Sequence, residues 1–379
     1  PAAVAAARGA PSAFFGTGNS ILLLSASMAT RWARLAPPAA ATAAGVLASQ
    51  CLSSSPSLVE AASDSPTGQS IAANHAAGLA TSDGTAYTLE YLDRSRRFSV
   101  WHGNGRRSSF SELLSAARAA DVVMLGEDHH DAVTHKLQEI LFARLAASRP
   151  VSLSLEMFET DVQHVLDEYL GGLLREQDLM SDARPWNNYA QYRPLVELAK
   201  AAELPVVAAN APRRYVSAAG RVGPEVLSQR QWAVGVRAYL PPLPLPQPSA
   251  AYSARLLRDP EVAPRKAPVS GGELSVVASS GGCPHIGLRG EDGLLAPMLL
   301  WDATMAHAIA TALGAARLVV HVCGRDHCLG IAEMLRRHYC PTAVPLTVAF
   351  YPEMDLQTFD AARHAGVGDF VVLTDETCN

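Results

Sequence analysis

The sequence predicts an α/β fold, with a mostly parallel sheet, helices on both faces, and a small helical or irregular insert subdomain. Short apolar runs such as 121–126 alternate with segments whose apolar residues recur at helical spacing, as at 133, 137, 140, 141 and 145. The runs are apolar throughout, which is typical of strands covered on both faces, and strand–helix alternation favours parallel pairing.

Each element follows from its local pattern. Helix-spaced segments predict helices over 109–120, 132–147, 159–170, 191–202, 297–313 and 330–339. Continuous apolar runs predict strands over 121–126, 151–155, 205–209, 316–322, 345–350 and 369–373. The domain is expected over 85–379, with the insert at 213–296, where a proline-rich run and Gly/Ser pairs interrupt the alternation. That run, 241–246, favours a rigid polyproline connector, and an SH3-type ligand is the alternative.

Composition excludes several classes of protein. Apolar residues make up 49% and charged residues 18% of 379, which excludes a mainly disordered or collagen-like chain. A net charge of −5 argues against nucleic acid as a partner. No apolar run is long enough to span a membrane, which leaves peripheral membrane association open.

The first 65 residues have the composition of a targeting leader. Residues 1–59 contain Arg8, Arg31 and Arg34 and no acidic residue. An Ala- and Ser-rich, acid-free leader is typical of organelle transit peptides and predicts a chloroplast location, in stroma or thylakoid lumen. A disordered Ala-rich tail is the alternative.

Polar residues follow four of the predicted strands. Because ligands of open parallel sheets bind at the carboxyl ends of strands, these residues predict one shared site. They are Glu127, His129 and His130 after the first strand, Glu156 after the second, Asn210 after the third, and His327 after the fourth. His135 and Gln138, at i and i+3 of the next helix, are expected to line the same crevice or to pair at the surface.

Two Gly-x-x-His tetrads, Gly126–His129 and Gly324–His327, carry the strongest local pattern. His129 and His327 with Glu156 would form a two-histidine, one-carboxylate site for a divalent metal that activates water, and Glu127 is a further catalytic candidate. The alternative is that the acids cap helices and hold the histidines. His321 and Cys323 lie within a strand and are expected in the core, with a Cys323–Cys328 disulfide possible.

Taken together, these blocks resemble the ChaN-like haem-binding uptake family of the Tiki superfamily over about residues 85–379. The 241–244 and 368–375 segments are similar to those of its photosynthetic members. The matching blocks are 123–129 with His135 and Gln138, 155–170, 186–200, 206–212, 300–306 and 319–327.

The resemblance implies haem binding, a mobile helical domain and a homodimer, with a tyrosine as iron ligand and a partner histidine on a propionate. Tyr239 and Tyr252, in or beside the insert, are the candidate iron ligands. His129, His130, His135 and Asn210 are the further candidate haem contacts. Haem or iron handling in an organelle is thus the first hypothesis. The second is a metal-dependent hydrolase of the Tiki type, and the third is an interaction protein whose site has decayed.

Overall fold

The computed structural model describes residues 88–229, 233–258, 292–314 and 318–378. The predicted leader, 1–65, lies outside them, as does the Gly/Ser-rich part of the insert. Eight strands form one sheet in the order β2-β1-β8-β7-β3-β6-β4-β5. The strands are β1 (Phe98–His102), β2 (Arg107–Ser108), β3 (Val122–Glu127), β4 (Ser152–Glu159), β5 (Val206–Asn210), β6 (Val319–Gly324), β7 (Pro345–Glu353) and β8 (Phe370–Asp375).

The six strands from β3 to β8 run parallel, which confirms the predicted fold class. The sequence did not predict the antiparallel edge formed by β1 and β2 on β8. These two strands have five and two residues, too few to show a period.

Twelve α-helices surround the sheet in the described residues. They are α1 (Leu89–Arg94), α2 (Phe110–Ala119), α3 (Ala132–Ala146), α4 (Gln163–Leu170), α5 (Glu176–Asp182), α6 (Tyr189–Ala201), α7 (Arg213–Val222), α8 (Ala233–Tyr239), α9 (Ala250–Arg258), α10 (Asp292–Leu313), α11 (Arg325–Met334) and α12 (Ala361–His364). Short 3₁₀ segments lie at Thr160–Val162, Pro224–Ser228 and Glu376–Cys378, and a π-helical turn at Leu335–Tyr339 extends α11.

Strand β3 shows how the sheet divides two cores. Val123 and Leu125 pack on one face with α2, α3 and α6, whereas Val122 and Met124 pack on the other with α10 and α11. All four are fully buried. Alternate residues of a strand point to opposite faces, and both faces here meet helices, so the strand reads as an unbroken apolar run.

Two element boundaries differ from the prediction in ways that matter for the site. Helix α11 begins at Arg325, five residues before the predicted start at 330, so His327 lies in its first turn and not in a loop. Strand β4 continues to Glu159 and therefore includes Glu156. Polar residues lie in the first turn of α11 and in the last residues of β4, so neither segment shows a clear apolar pattern in the sequence.

The described part of the insert contains α7, α8, α9, the non-helical proline-rich run between α8 and α9, and the start of α10, which begins before the predicted boundary at 296. The Thr160 hydroxyl donates to the Tyr239 carbonyl at 2.6 Å and so ties the end of α8 to the carboxyl end of β4. Within the described residues, no helix is long and apolar enough to cross a membrane.

Candidate functional site at the carboxyl ends of the strands

The sheet brings Glu127, Gly324 and Glu156 together on three adjacent strands. Glu127 on β3 is in register with Gly324 on β6, and β6 is flanked on its other side by β4, which carries Glu156. Both carboxylates are buried, at 2% and 0% exposure. Burying a carboxylate is unfavourable unless hydrogen bonds compensate it, and each of the two has such partners.

Glu127 is the centre of the first cluster. Its Oε1 accepts from the Tyr192 hydroxyl at 2.5 Å and contacts His129 Nδ1 at 3.1 Å. Its Oε2 accepts from the Gln138 amide at 2.7 Å. Burial, together with the neighbouring Glu127 charge, raises the pKa of Tyr192, so this phenol stays a donor. The predicted helix residue Gln138 therefore acts inside the site.

The turn that carries His129 is held from several sides. Asn188 donates its amide to the His129 carbonyl at 2.9 Å, and His135 Nε2 lies 3.2 Å from the same oxygen. The Trp186 ring meets the His129 ring edge-on, with centroids 4.9 Å apart. The His129 side chain keeps 17% exposure, whereas His135 is buried and His130 is exposed.

His327 is the centre of the second cluster. Its Nδ1 lies 2.6 Å from Asp302 Oδ1 on α10, and its Nε2 lies 3.5 Å from Glu156 Oε1. The other Glu156 oxygen, Oε2, accepts the Gly324 backbone N–H at 2.7 Å. Two carboxylates from distant segments thus flank one buried imidazole.

Asp302 links this cluster to the insert. The Tyr252 hydroxyl of α9 donates to Asp302 Oδ2 at 2.7 Å, and Tyr252 has no exposed surface. Burial first, and the Asp302 charge second, raise the pKa of Tyr252 well above its usual value. Gly330 makes room for this contact, because a Cβ there would lie 1.8 Å from Asp302 Oδ2.

A neutral histidine lies in the sheet beneath this cluster. His321 is fully buried, as predicted, and its Nδ1 lies 2.9 Å from the Ser154 hydroxyl on β4. Its Nε2 has no hydrogen-bond partner among the described residues. Burial lowers the pKa of His321 to about 4, so the ring is uncharged near neutral pH. Cys323 and Cys328 are buried free thiols with their sulfurs 3.7 Å apart, so the possible disulfide is not formed.

The two clusters meet at Gly324. A Cβ at this position would lie 3.2 Å from His129 Cε1 and 3.7 Å from His327 Cδ2, so both imidazoles approach the same glycine. Each ring contacts a carboxylate through Nδ1, an arrangement that orients an imidazole for hydrogen bonding or proton transfer at its other nitrogen.

The predicted metal site consists of His129, Glu156 and His327. Among the described residues, no group of three His, Cys, Asp or Glu side chains could hold a metal ion, and that includes His129, Glu156 and His327. His327 Nδ1 contacts Asp302, and Glu156 Oε2 accepts a backbone N–H, whereas His327 Nε2 and Glu156 Oε1 lie 3.5 Å apart.

The other predicted residues lie in different surroundings. Asn210, at the end of β5, uses its Oδ1 to accept from the Ala211 N–H at 2.8 Å. Tyr239 is half-buried at the end of α8, and its ring lies 5.7 Å from the Arg214 guanidinium carbon. Asp302 is a site residue that no sequence pattern predicted. Its signal was a lone acid within the apolar 298–306 run.

Two solved structures resemble the fold, and no curated protein sequence matches the chain. One is the structure of ChaN of Campylobacter jejuni with cofacially bound haem. It is 15% identical, with 73% of this chain and 97% of that chain covered and a TM-score of 0.49. The other is the type III effector HopBA1, at 14% identity, 69% and 91% coverage and a TM-score of 0.35.

The family comparison covers more than half of the sequence. The family model described as haem-binding uptake, Tiki superfamily, ChaN matches residues 113–335. The match includes Glu127, His129, Glu156, Asp302 and His327, and so takes in both clusters at the strand ends. The chain belongs to the ChaN haem-binding uptake family of the Tiki superfamily.

Proposed function

We propose that this protein binds haem and handles haem or iron. The observation that carries the proposal is family membership over residues 113–335, a range that includes both strand-end clusters and the insert. Bound haem would supply an iron that takes a protein ligand and two propionates that take cations. Tyr239 at the end of α8 and the arginines near it could meet these two needs.

Tyr239 is the proposed iron ligand. Its phenol has no hydrogen-bond partner within the described residues, and its half-buried ring leaves it accessible. The Arg214 guanidinium carbon lies 5.7 Å from the centre of this ring, and a tyrosine oxygen is a known kind of haem iron ligand. The Thr160 contact keeps Tyr239 beside the carboxyl end of β4.

Tyr252 is less suited to this role. Its hydroxyl already donates to Asp302, its side chain is fully buried, and its raised pKa disfavours a phenolate. Its ligand role stays a prediction that the experiment below tests beside Tyr239.

Arginines near Tyr239 are the proposed contacts of the haem propionates. Arg214 and Arg184 both bind Asp161, which follows β4 directly. Their side chains are about half exposed, at 48% and 52%, so they can contact a second anion. Guanidinium groups bind carboxylates in a bidentate fashion. We further assign His129 and His130 to the haem periphery, with His135 and Asn210 as buried supports.

The test is a haemin titration of the full chain, followed by absorption spectroscopy. We expect a saturable Soret shift at one haem per chain, with a phenolate-to-iron charge-transfer band. Tyr239→Phe should remove the band, whereas Tyr252→Phe should keep it. Absence of a saturable shift would overturn the proposal. Loss of the band in Tyr252→Phe alone would transfer the ligand role to that residue.

The location, the oligomeric state and the membrane association of the protein are also proposed. We infer that residues 1–65 direct the protein to the chloroplast of a photosynthetic eukaryote, which a fluorescent fusion of that segment tests. We infer a homodimer, and light scattering with and without haemin measures it. Peripheral membrane association is tested by sedimentation with vesicles.

A further inference from the structure

A cavity of about 420 Å³ lies in the helical part of the chain and shares no lining residue with the strand-end clusters. The 3₁₀ turn Pro224–Ser228, helix α8, the proline-rich run after it and helix α10 line this cavity. Its size falls in the range of small-molecule sites, roughly 300–1,000 Å³.

Five of the eight residues that line the cavity are apolar. Leu227 and Leu240 are buried side chains of the second core, and Leu243 packs against that core half-buried. Pro241 and Pro242 complete this side of the lining. The proline-rich run of the sequence thus forms a wall, and its lack of backbone donors keeps that wall apolar.

Three polar side chains also line the cavity, Ser228, Arg237 and His307, and the last two differ in charge. Arg237, in the last turn of α8, is exposed and has no ion pair with any described residue. His307 on α10 is half-buried and packs edge-on against the Tyr339 ring, with centroids 5.4 Å apart. Burial lowers the pKa of His307, so its ring is neutral near pH 7. The charge of the cavity therefore comes from Arg237.

One cation beside an apolar cavity selects an amphipathic anion. We propose that this cavity binds a monocarboxylate with an extended apolar chain, its carboxylate on Arg237 and its chain among Leu227, Leu240 and Leu243. His307 provides one neutral hydrogen-bonding group for the second carboxylate oxygen. This site shares no lining residue with the strand-end clusters, and α8 carries both Arg237 and the proposed iron ligand Tyr239.

The test is isothermal titration of the full chain with octanoate, decanoate and dodecanoate below their micelle concentrations. We expect one site per chain and about fourfold tighter binding for each added methylene. Decanol, which lacks the charge, should bind more than about tenfold more weakly than decanoate.

Variants separate this site from nonspecific binding. Arg237→Gln should weaken decanoate binding by about tenfold or more, because a charge-assisted hydrogen bond is lost. Arg221→Gln is the matched control, since that exposed arginine donates to the Ser217 carbonyl and does not line the cavity. Leu243→Asn should flatten the dependence on chain length.

Three results would overturn the proposal. One is the absence of saturable binding of any of the three acids, and another is equal affinity in Arg237→Gln and in Arg221→Gln. The third is stoichiometric displacement of decanoate by haemin, which would make the cavity part of the haem site. Because haemin binding is measured by its Soret shift, failure here leaves the proposed function standing.

Discussion

The two Gly-x-x-His turns share a sequence pattern but are supported by different parts of the molecule. In the first turn, the carboxylate that contacts His129 is Glu127, within the same tetrad. In the second turn, the carboxylate on His327 is Asp302, on helix α10 and 25 residues away in sequence. The first histidine side chain is 17% exposed, and the second only 6%.

The comparison shows that one short motif can have two different structural roles. The strand continues past Gly126 to Glu127, so His129 sits in a turn at the edge of the crevice. The strand ends at Gly324, and α11 begins at once, so His327 is packed within the fold. We therefore expect the second turn to contribute mainly to stability and the first mainly to ligand contact.

The largest expected effect comes from removing the second histidine. His327→Ala leaves Asp302 and Glu156 as buried carboxylates that have lost the imidazole between them. Tyr252 still donates to Asp302, and the Gly324 N–H to Glu156, so each carboxylate loses one of its partners. At about 1–3 kcal/mol for each carboxylate, we expect a total loss of about 4 kcal/mol. Urea unfolding monitored by circular dichroism measures this change in the free energy of unfolding.

A double variant sharpens this result. His327→Ala with Asp302→Asn should be less destabilised than the sum of the single variants, because the carboxylate that contacts the imidazole is then absent as well. A loss below about 1 kcal/mol in His327→Ala would contradict the structural role assigned to the second turn.

The second effect is a pH dependence of the free energy of unfolding. It comes from His321, beneath the second turn, and amounts to about 3 kcal/mol. Its folded pKa is about 4, against an ordinary value of 6.5. As pH falls from 6.5 to 4, His321 binds a proton in the unfolded chain but not in the folded chain, so the free energy of unfolding falls. Above pH 6.5 this contribution is fully present, and at pH 4 nearly all of it is lost.

The measurement is urea unfolding between pH 7 and pH 4 in wild type and in His321→Gln. The variant should lose less stability over this range than wild type. His164→Gln, which changes an exposed helix residue, is the matched control and should follow wild type. Parallel pH profiles of wild type and His321→Gln would contradict the assignment of a neutral buried imidazole.

The third effect compares the two glycines of the tetrads. A Cβ at Gly126 would lie 2.8 Å from the Arg325 Cα and 2.5 Å from Cys328 Sγ, so backbone must move. At Gly324, the nearest atom is His129 Cε1 at 3.2 Å, on a side chain that can shift. Overpacking predicts that Gly126→Ala costs about 2 kcal/mol and Gly324→Ala about 1 kcal/mol. Thermal unfolding compares the two, and the reverse order would contradict the packing argument.

The sequence predicted the parallel sheet because six of its strands are continuous apolar runs, a purely local signal. It also placed Glu127, His129, Glu156 and His327 at one edge, because each follows a predicted strand. The β1–β2 edge was too short to show a period.

What the sequence left open depends on contacts between distant segments. Asp302 contacts His327 across 25 residues, and the Tyr252 hydroxyl reaches Asp302 across 50. Tyr192 contacts Glu127 across 65 residues. No spacing rule connects such pairs, so the structure was needed to show that Asp302 and Tyr192 hold the site and that Tyr252 is buried.

The smallest expected effect is on stability in His129→Ala, the counterpart of His327→Ala. Glu127 keeps Tyr192 and Gln138 as donors when the His129 ring is removed, so one buried carboxylate loses one partner, whereas two carboxylates do in His327→Ala. We expect a loss of about 1 kcal/mol, in the range of ordinary hydrogen bonds. Because the Trp186 ring packs edge-on against His129, the variant should also change tryptophan fluorescence, with Trp186→Phe as the control that removes this signal. If His129→Ala proved as destabilising as His327→Ala, the two turns would share one mechanical role, and the assignment of the first turn to ligand contact would lose its physical basis.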